Sequence, residues 1–261
     1  MIQSKGKNIK SGWKTIFNVF SKAASGNNEQ VVVDAFDAMK FIAKERLKEV
    51  VMCNAFLDFS QCLVVFAKNK KFMKISLQAV ELIKGSIPKM AELSRLDAER
   101  REQEQQQEEG EGQPALNSYA DEDPSVRFWF PIHFALYQVL MTCELEVRAR
   151  YFNRSLVCII ELTFFRALNY LFDCLKQYGG QYSQKFWGTV CKEVIFPIFD
   201  DLKPDKKRNF DNKDDMSEWM STTLVQALRN FIDLLTHFFE TVAFLLASIL
   251  DLLSICINQG R

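Results

Sequence analysis

The residues that could do chemistry are few and scattered. The histidines are His133 and His237. Each stands beside aromatic residues at helical spacing, which suits a core or capped imidazole. Seven cysteines, Cys53, Cys62, Cys143, Cys158, Cys174, Cys191 and Cys256, lie among apolar residues with no C-x-x-C pair. Two isolated imidazoles and spread thiols do not make a zinc set of known spacing. An odd number of apolar-flanked cysteines fits a reduced, cytosolic chain that uses them as small hydrophobes. Carboxylates such as Glu45, Glu49, Asp200 and Asp201 read as surface charges without a partner constellation. There is no G-x-x-x-x-G-K-[ST], G-x-G-x-x-G or G-x-S-x-G motif. A nucleophile, base and oxyanion donor cannot be assembled. The chain reads as a non-enzyme with no cofactor and no metal.

The elements that would position any site are helical. Of 261 residues, 48% are hydrophobic and 25% charged, so the chain is globular and long enough for one or two cores. It holds 23 phenylalanines but only 10 glycines and 6 prolines, a balance that favours packed helices. The 33 basic and 33 acidic residues cancel, which gives no global field for nucleic acid. Lys5 to Lys10 is polar, so no signal peptide is expected at the start.

Trp13, Ile16, Phe17 and Phe20 recur at i, i+3, i+4 and i+7, with Lys10, Lys14, Asn18 and Lys22 around the other face. Asn27 with Gln30 predicts the cap of a second helix carrying Val32, Phe36 and Met39. A third helix carries Phe56, Phe59, Cys62, Leu63 and Phe66, and a fourth Ile75, Ala79, Leu82 and Ile83. Residues 97–123 are nearly free of apolar side chains, so a solvated, disordered acidic and Gln-rich loop is expected, with a short helical extension after Met90 left open. Order returns at Arg127-Phe-Trp-Phe-Pro131, and Pro131 suits a first helical turn. Gly179-Gly180 ends a helix through Leu168, Leu171, Phe172 and Leu175, and Ser183 caps the next. Lys203 to Asp215 reads as a charged loop, and Asp215 with Glu218 as a further capping pair. The apolar tail 231–257 is interrupted by Asp233, Glu240 and Asp251, so it reads as buried helix with a bend near Phe239–Thr241.

The predicted fold is all-α, an armadillo/HEAT-like α-solenoid of diverged antiparallel helix pairs. Its parts are a helical block over 1–96, the loop 97–123, and a second block over 124–261 that continues the same solenoid.

Several segments together resemble one family. They are Ser11-Gly-Trp-Lys-Thr-Ile-Phe-Asn-Val-Phe20, Phe56-x-Asp58 with Cys62-Leu63, Phe128-Trp-Phe-Pro131 and Leu145-Glu-Val-Arg148. Arg166-Ala-Leu-Asn-Tyr-Leu-Phe172, Ile195-Phe-Pro-Ile-Phe199 and Trp219-x-Ser-Thr-Thr-Leu-Val-Gln-Ala-Leu-Arg229 follow in order. The set is similar to the large late-Golgi Arf guanine-nucleotide exchange factors of BIG and Sec-seven type, in the helical homology blocks downstream of their catalytic domain. The resemblance implies a non-catalytic regulatory fragment in vesicle-mediated protein transport, cytoplasmic and peripheral on trans-Golgi network membranes. It implies as partners small GTPases of Arf/Rab type, other helical blocks of the parent protein, peripheral membrane contact, and a homodimer formed through the parent. The exchange domain with its catalytic glutamate loop has no counterpart in these residues. A generic helical-repeat adaptor, or a non-catalytic scaffold of the same superfamily, is the alternative. The candidate interaction or motif positions, chosen for mutation and not as known contacts, are Trp13, Lys14, Asp58, Arg148, Trp219 and Arg229.

One stretch departs from the family pattern. Excising Tyr151 to Arg166, or equally Arg150 to Phe165, leaves Leu-Glu-Val-Arg-Ala-Arg-Ala-Leu-Asn-Tyr-Leu-Phe and restores a continuous match. Sixteen extra residues in one helix would turn the downstream face by about 160°. The segment reads as a retained 48-nucleotide intron or other gene-model error, or as a genuine extra loop or hydrophobic helix.

Overall fold

A computed structural model describes residues 9, 12–111, 123–149, 154–199 and 224–259. Every element among them is helical. The α-helices of five or more residues are α1 (Trp13–Ala24), α2 (Glu29–Glu45), α3 (Leu47–Met52), α4 (Phe56–Ala67), α5 (Met73–Glu111), α6 (Pro124–Phe128), α7 (Phe130–Ala149), α8 (Arg154–Tyr178), α9 (Gln184–Val190), α10 (Val225–Val242) and α11 (Leu246–Gln259).

The apolar stripe of α1 does what its spacing dictates. Trp13 and Phe17 are buried and stack with ring centroids 5.8 Å apart, and Phe17 meets Phe59 of α4 edge-on at 5.7 Å. Lys14, Asn18 and Lys22 face out. The cap of α2 is Asn28, one residue beyond the expected Asn27; its side chain accepts from the Val31 N–H. Asn28 has extended φ/ψ, the backbone a capping side chain needs.

The packing follows a repeating order. Helix α1 packs on α2 and α4, α4 on α5 and α7, α5 on α8, α7 on α8, and α8 on α10. In this run α4 touches α1, α5 and α7, and α8 touches α5, α7 and α10. One continuous cluster of buried side chains runs from Trp13 to Cys256.

Three expectations need correction. Residues 97–111 are helix, not loop, since α5 runs to Glu111; residues 112–122 lie outside the described set. Glutamate, glutamine and arginine are strong helix formers, and ion pairs Asp97–Arg100, Asp97–Arg101 and Arg100–Glu104 recur at i+3 and i+4. Low hydrophobicity forbids a buried face but not a solvated helix continuing from a packed one.

The tail is the second correction. It kinks at Phe238 (φ −117°, ψ 22°), close to the expected bend, and a 3-10 turn at Ala243–Leu245 leads into α11. It is not buried helix, however, because Phe239, Phe244, Leu250 and Ile257 are all more than half exposed. Third, His237 is exposed and meets Phe238 edge-on at 4.5 Å. The extra segment does not join its two flanks in one helix: α7 ends at Ala149, and α8 begins at Arg154 and takes in the rest of the segment. Ala167, Leu168, Leu171, Phe172 and Leu175 of α8 reach the core. The segment around 203–219, with its expected loop and caps, lies outside the described residues.

Candidate interaction surfaces

The buried polar groups of this protein brace helices. His133 on α7 is fully buried, and its Nε2 lies 2.9 Å from the Tyr182 hydroxyl. Burial pushes the imidazole down to about 3, so it stays neutral and acts as a core side chain. Trp129 stacks on Tyr178 at 4.6 Å, and Trp187 packs on Phe238 at 5.0 Å. This aromatic cluster joins α7, α8, α9 and α10. Three of the four tryptophans are therefore core anchors; Trp219 lies outside the described residues. Cys62, Cys174, Cys191 and Cys256 are buried free thiols and Cys53 is half-buried. Burial raises Cys62 to about 11 and Cys191 to about 12, so neither supplies a thiolate at neutral pH.

Half-exposed polar ties join the helix pairs. Glu81 Oε1 on α5 accepts from Arg166 Nη1 and from the Tyr170 hydroxyl of α8, each at 2.7 Å. Lys84 Nζ lies 4.2 Å from the Tyr170 ring centroid. Burial, then the hydrogen bond and charge of Glu81, raise Tyr170 to about 12. Arg127 Nη2 donates to the Val51 carbonyl at 2.8 Å, linking α6 to α3. Lys176 Nζ reaches Asp233 at 3.1 Å, linking α8 to α10. These contacts fix how pairs stack, and none of them has the geometry of a nucleophile and its base. No group of three or more metal-ligating side chains occurs among the described residues.

Three surfaces remain. The first is the outer face of α1, with Lys14 exposed next to the buried Trp13. The two expected interaction residues thus divide: Trp13 packs, and Lys14 is available. Asp58 is half-buried in the first turn of α4, the helix against which α1 packs. There its negative charge faces the positive end of the helix dipole. Arg229 is exposed on α10, whose partners are α8 and α9. Arg148 is on α7, with only its backbone described, and Trp219 is outside the described residues.

The second surface is apolar. Ile232, Phe239, Phe244, Leu246, Leu250 and Ile257 stand exposed on α10, the 3-10 turn after it and α11. On α11 the buried Ile249, Leu252 and Cys256 adjoin this exposed strip, so one wide apolar arc is covered over half its width. The stretch Val225–Ile257 is long and apolar enough to cross a bilayer. The kink, with Asp233, Glu240 and Asp251 spaced along the stretch, speaks against that use.

The third surface is a row of lysines at the α4–α5 turn, which periodicity did not single out. Its signal is a run of like charge, Lys68, Lys70, Lys71 and Lys74, with no acidic residue between Asp58 and Glu81.

Comparison with known proteins gives consistent kinship. Residues 1–54 match the family model described as Mon2/Sec7/BIG1-like, HDS. The ADP-ribosylation factor guanine nucleotide-exchange factor SEC7 of Saccharomyces cerevisiae is 35% identical over 99% of this chain. The factor sec72 of Schizosaccharomyces pombe is 30% identical over 100% of it. The human Brefeldin A-inhibited guanine nucleotide-exchange protein 1 is 29% identical, also over 100%. The chain spans only 12%, 13% and 12% of those relatives, respectively. No solved structure matches.

Proposed function

Because the chain belongs to the BIG/Sec7 type of Arf exchange-factor sequences, we propose that it is a non-catalytic regulatory region of such a factor, working in Golgi vesicle transport. In this reading the chain is a stretch of armadillo/HEAT-like solenoid. Exchange on Arf belongs to another part of the parent protein, and this segment controls it through contacts with small GTPases of Arf or Rab type, with the trans-Golgi membrane, and with neighbouring helical blocks. A homodimer would form through the parent.

The observation that carries the reading is kinship to SEC7 across 99% of the chain rather than over one motif. The stacked order of helix contacts supports the solenoid part. The half-covered apolar arc of α11 supports contact with a neighbouring helical block, since a surface of this kind is a common protein interface.

The test is retention of the chain on a panel of Arf and Rab GTPases loaded with GDP or a GTP analogue. Retention selective for the GTP form, lost in Lys14→Glu at unchanged Tm, is the expected result. Absence of retention on every loaded GTPase overturns direct GTPase contact and leaves intramolecular packing as the role of this region.

A further inference from the structure

Two stripes of apolar side chains run along α10, one residue apart. Ala227, Phe231, Leu234, Phe238 and Val242 are buried. Leu228, Ile232, Leu235 and Phe239 each follow one of the first four by a single residue, so they lie about 100° around the helix. Leu228 and Leu235 are half-buried, and Ile232 and Phe239 are exposed. With the exposed Val225 they repeat at i, i+3, i+7, i+10 and i+14, the spacing with which one helix seats another. Helix α11 repeats the arrangement. Ile249, Leu252 and Cys256 are buried, and Leu250, Leu253 and Ile257 each follow by one residue, with Leu250 and Ile257 more than half exposed. A packed stripe and an uncovered one thus stand side by side on both helices. The charge along this seam has one sign. From Asn230 to Gly260 the acidic residues are Asp233, Glu240 and Asp251, and there is no lysine or arginine. Asp233 pairs with Lys176 of α8 at 3.1 Å, whereas Glu240 and Asp251 are exposed. On α9 a Cβ at Gly188 would lie 3.7 Å from the Phe244 ring, and Lys192, one turn on, pairs with Glu193 at 3.9 Å.

We propose that the α10–α11 seam receives a single amphipathic helix of a partner protein, apolar at the same spacing and carrying lysine or arginine along its flank. The spacing sets the shape. Side chains repeating at i+3 and i+4 form ridges that fit the grooves of another helix, whereas an extended strand alternates its side chains and would match only every other one. The carboxylates set the charge. Glu240 and Asp251 attract cations beside the apolar stripe and repel a flank of their own sign. A second copy of this chain would bring the same carboxylates to the same face, which confines self-association to raised concentration. The inference goes beyond the proposed function, in which α11 meets a neighbouring helical block. Such a block would cover the same side chains, so it and the partner helix would compete for α11.

The test is fluorescence anisotropy of the whole chain with three labelled peptides of about five helical turns each. One is a Leu/Lys helix with leucine at the seam spacing, one is its Leu/Glu counterpart, and one holds the Leu/Lys residues in an order that breaks the stripe. Wild type should bind the Leu/Lys helix at least about tenfold more tightly than either of the others. The variant E240K/D251K should reverse the order of the Leu/Lys and Leu/Glu helices, and I232S/L250S should weaken both by about tenfold. Equal binding of Leu/Lys and Leu/Glu helices to wild type, or an order unchanged in E240K/D251K, would overturn the basic partner. Equal binding of the broken-stripe peptide would overturn the helical one. A wild type that binds none of the three overturns the proposal, and a dimer lost in I232S/L250S would then assign the face to a second copy. Unchanged Tm of the variants keeps loss of binding separate from loss of fold. Should I232S/L250S fail to fold, E240K/D251K still decides, because both of its positions are exposed. The measurement uses no GTPase and no membrane, so its failure leaves the proposed regulatory role standing.

Discussion

Gly179 and Trp187 occupy the same space so closely that a Cβ on Gly179 would lie 2.5 Å from Trp187 Cζ2. The indole Nε1 in turn donates to the Gly179 carbonyl at 3.2 Å. Phe238 closes the other side, 3.0 Å from the same Cβ position. The turn after α8, the start of α9 and the kink of α10 therefore meet at one glycine. Gly179→Ala should lower stability by about 1–3 kcal/mol through overpacking. Gly180→Ala, where a Cβ meets nothing within 4 Å, should be nearly neutral. Thermal unfolding of the two variants side by side checks this, and equal Tm values would refute it.

The buried His133 gives the protein a pH dependence of known sign. Its pKa is held near 3 in the folded chain against an ordinary value of 6.5, with burial as the cause. Between those values the unfolded chain binds a proton that the folded chain refuses. Stability is thus full above about pH 6.5 and falls as pH drops toward 3, by at most about 1.4 kcal/mol per pH unit from this group. His133→Asn should flatten that part of the curve even if it lowers stability at pH 7. Urea midpoints measured from pH 7.5 to 4.5 for both proteins test it, since carboxylate titration is common to the two. Parallel curves would remove His133 as the cause.

Side-chain periodicity located α1, α4 and the start of α5, because each buries one stripe against a neighbour: Trp13 and Phe17, Phe59 and Phe66, Ala79 and Ile83. Local capping chemistry was equally legible at Ser183, whose Oγ accepts from the Phe186 N–H. What periodicity could not report is which apolar side chains find a partner. Ile249 and Leu250 are alike as residues, yet one is buried and the other exposed, because only one side of α11 has a neighbour among the described residues. Contacts between distant segments were invisible for the same reason. Glu81 carries no local sign of its partners, because Arg166 and Tyr170 reach it across 85 and 89 residues of chain. Of the interaction positions, Trp13 proved to be packing and Lys14 exposed, a division that helical phase already contained.

The sixteen-residue departure from the family pattern can be excised without losing that tie. Removing Tyr151 to Arg166 puts Arg150 directly before Ala167, the place Arg166 now holds. The shortened chain keeps an arginine three residues before the Asn169–Tyr170 pair, and Tyr170 keeps its register with Leu168, Leu171 and Leu175. It should fold, with helical circular dichroism per residue and Tm no lower than those of the full chain. In both forms Glu81→Gln should cost about 1 kcal/mol, as expected for a half-exposed ion pair plus one hydrogen bond. A shortened chain that fails to fold would make the segment an integral part of α8.

The outer face of α10 and α11 predicts how the chain behaves in solution. Phe239 and Phe244 are each more than half exposed, so changing them removes little packing from the chain itself. Phe239→Ser with Phe244→Ser should shift stability by no more than about 0.5 kcal/mol per site, the range for surface positions away from special features. The same pair should sharply reduce concentration-dependent self-association and binding of an apolar dye, because exposed apolar surface drives both. Sedimentation velocity over a hundredfold concentration range reads the first and fluorescence the second. If the double variant instead unfolds, these rings are core residues and the face is already covered within the chain. If it folds and self-associates as before, association runs through another surface.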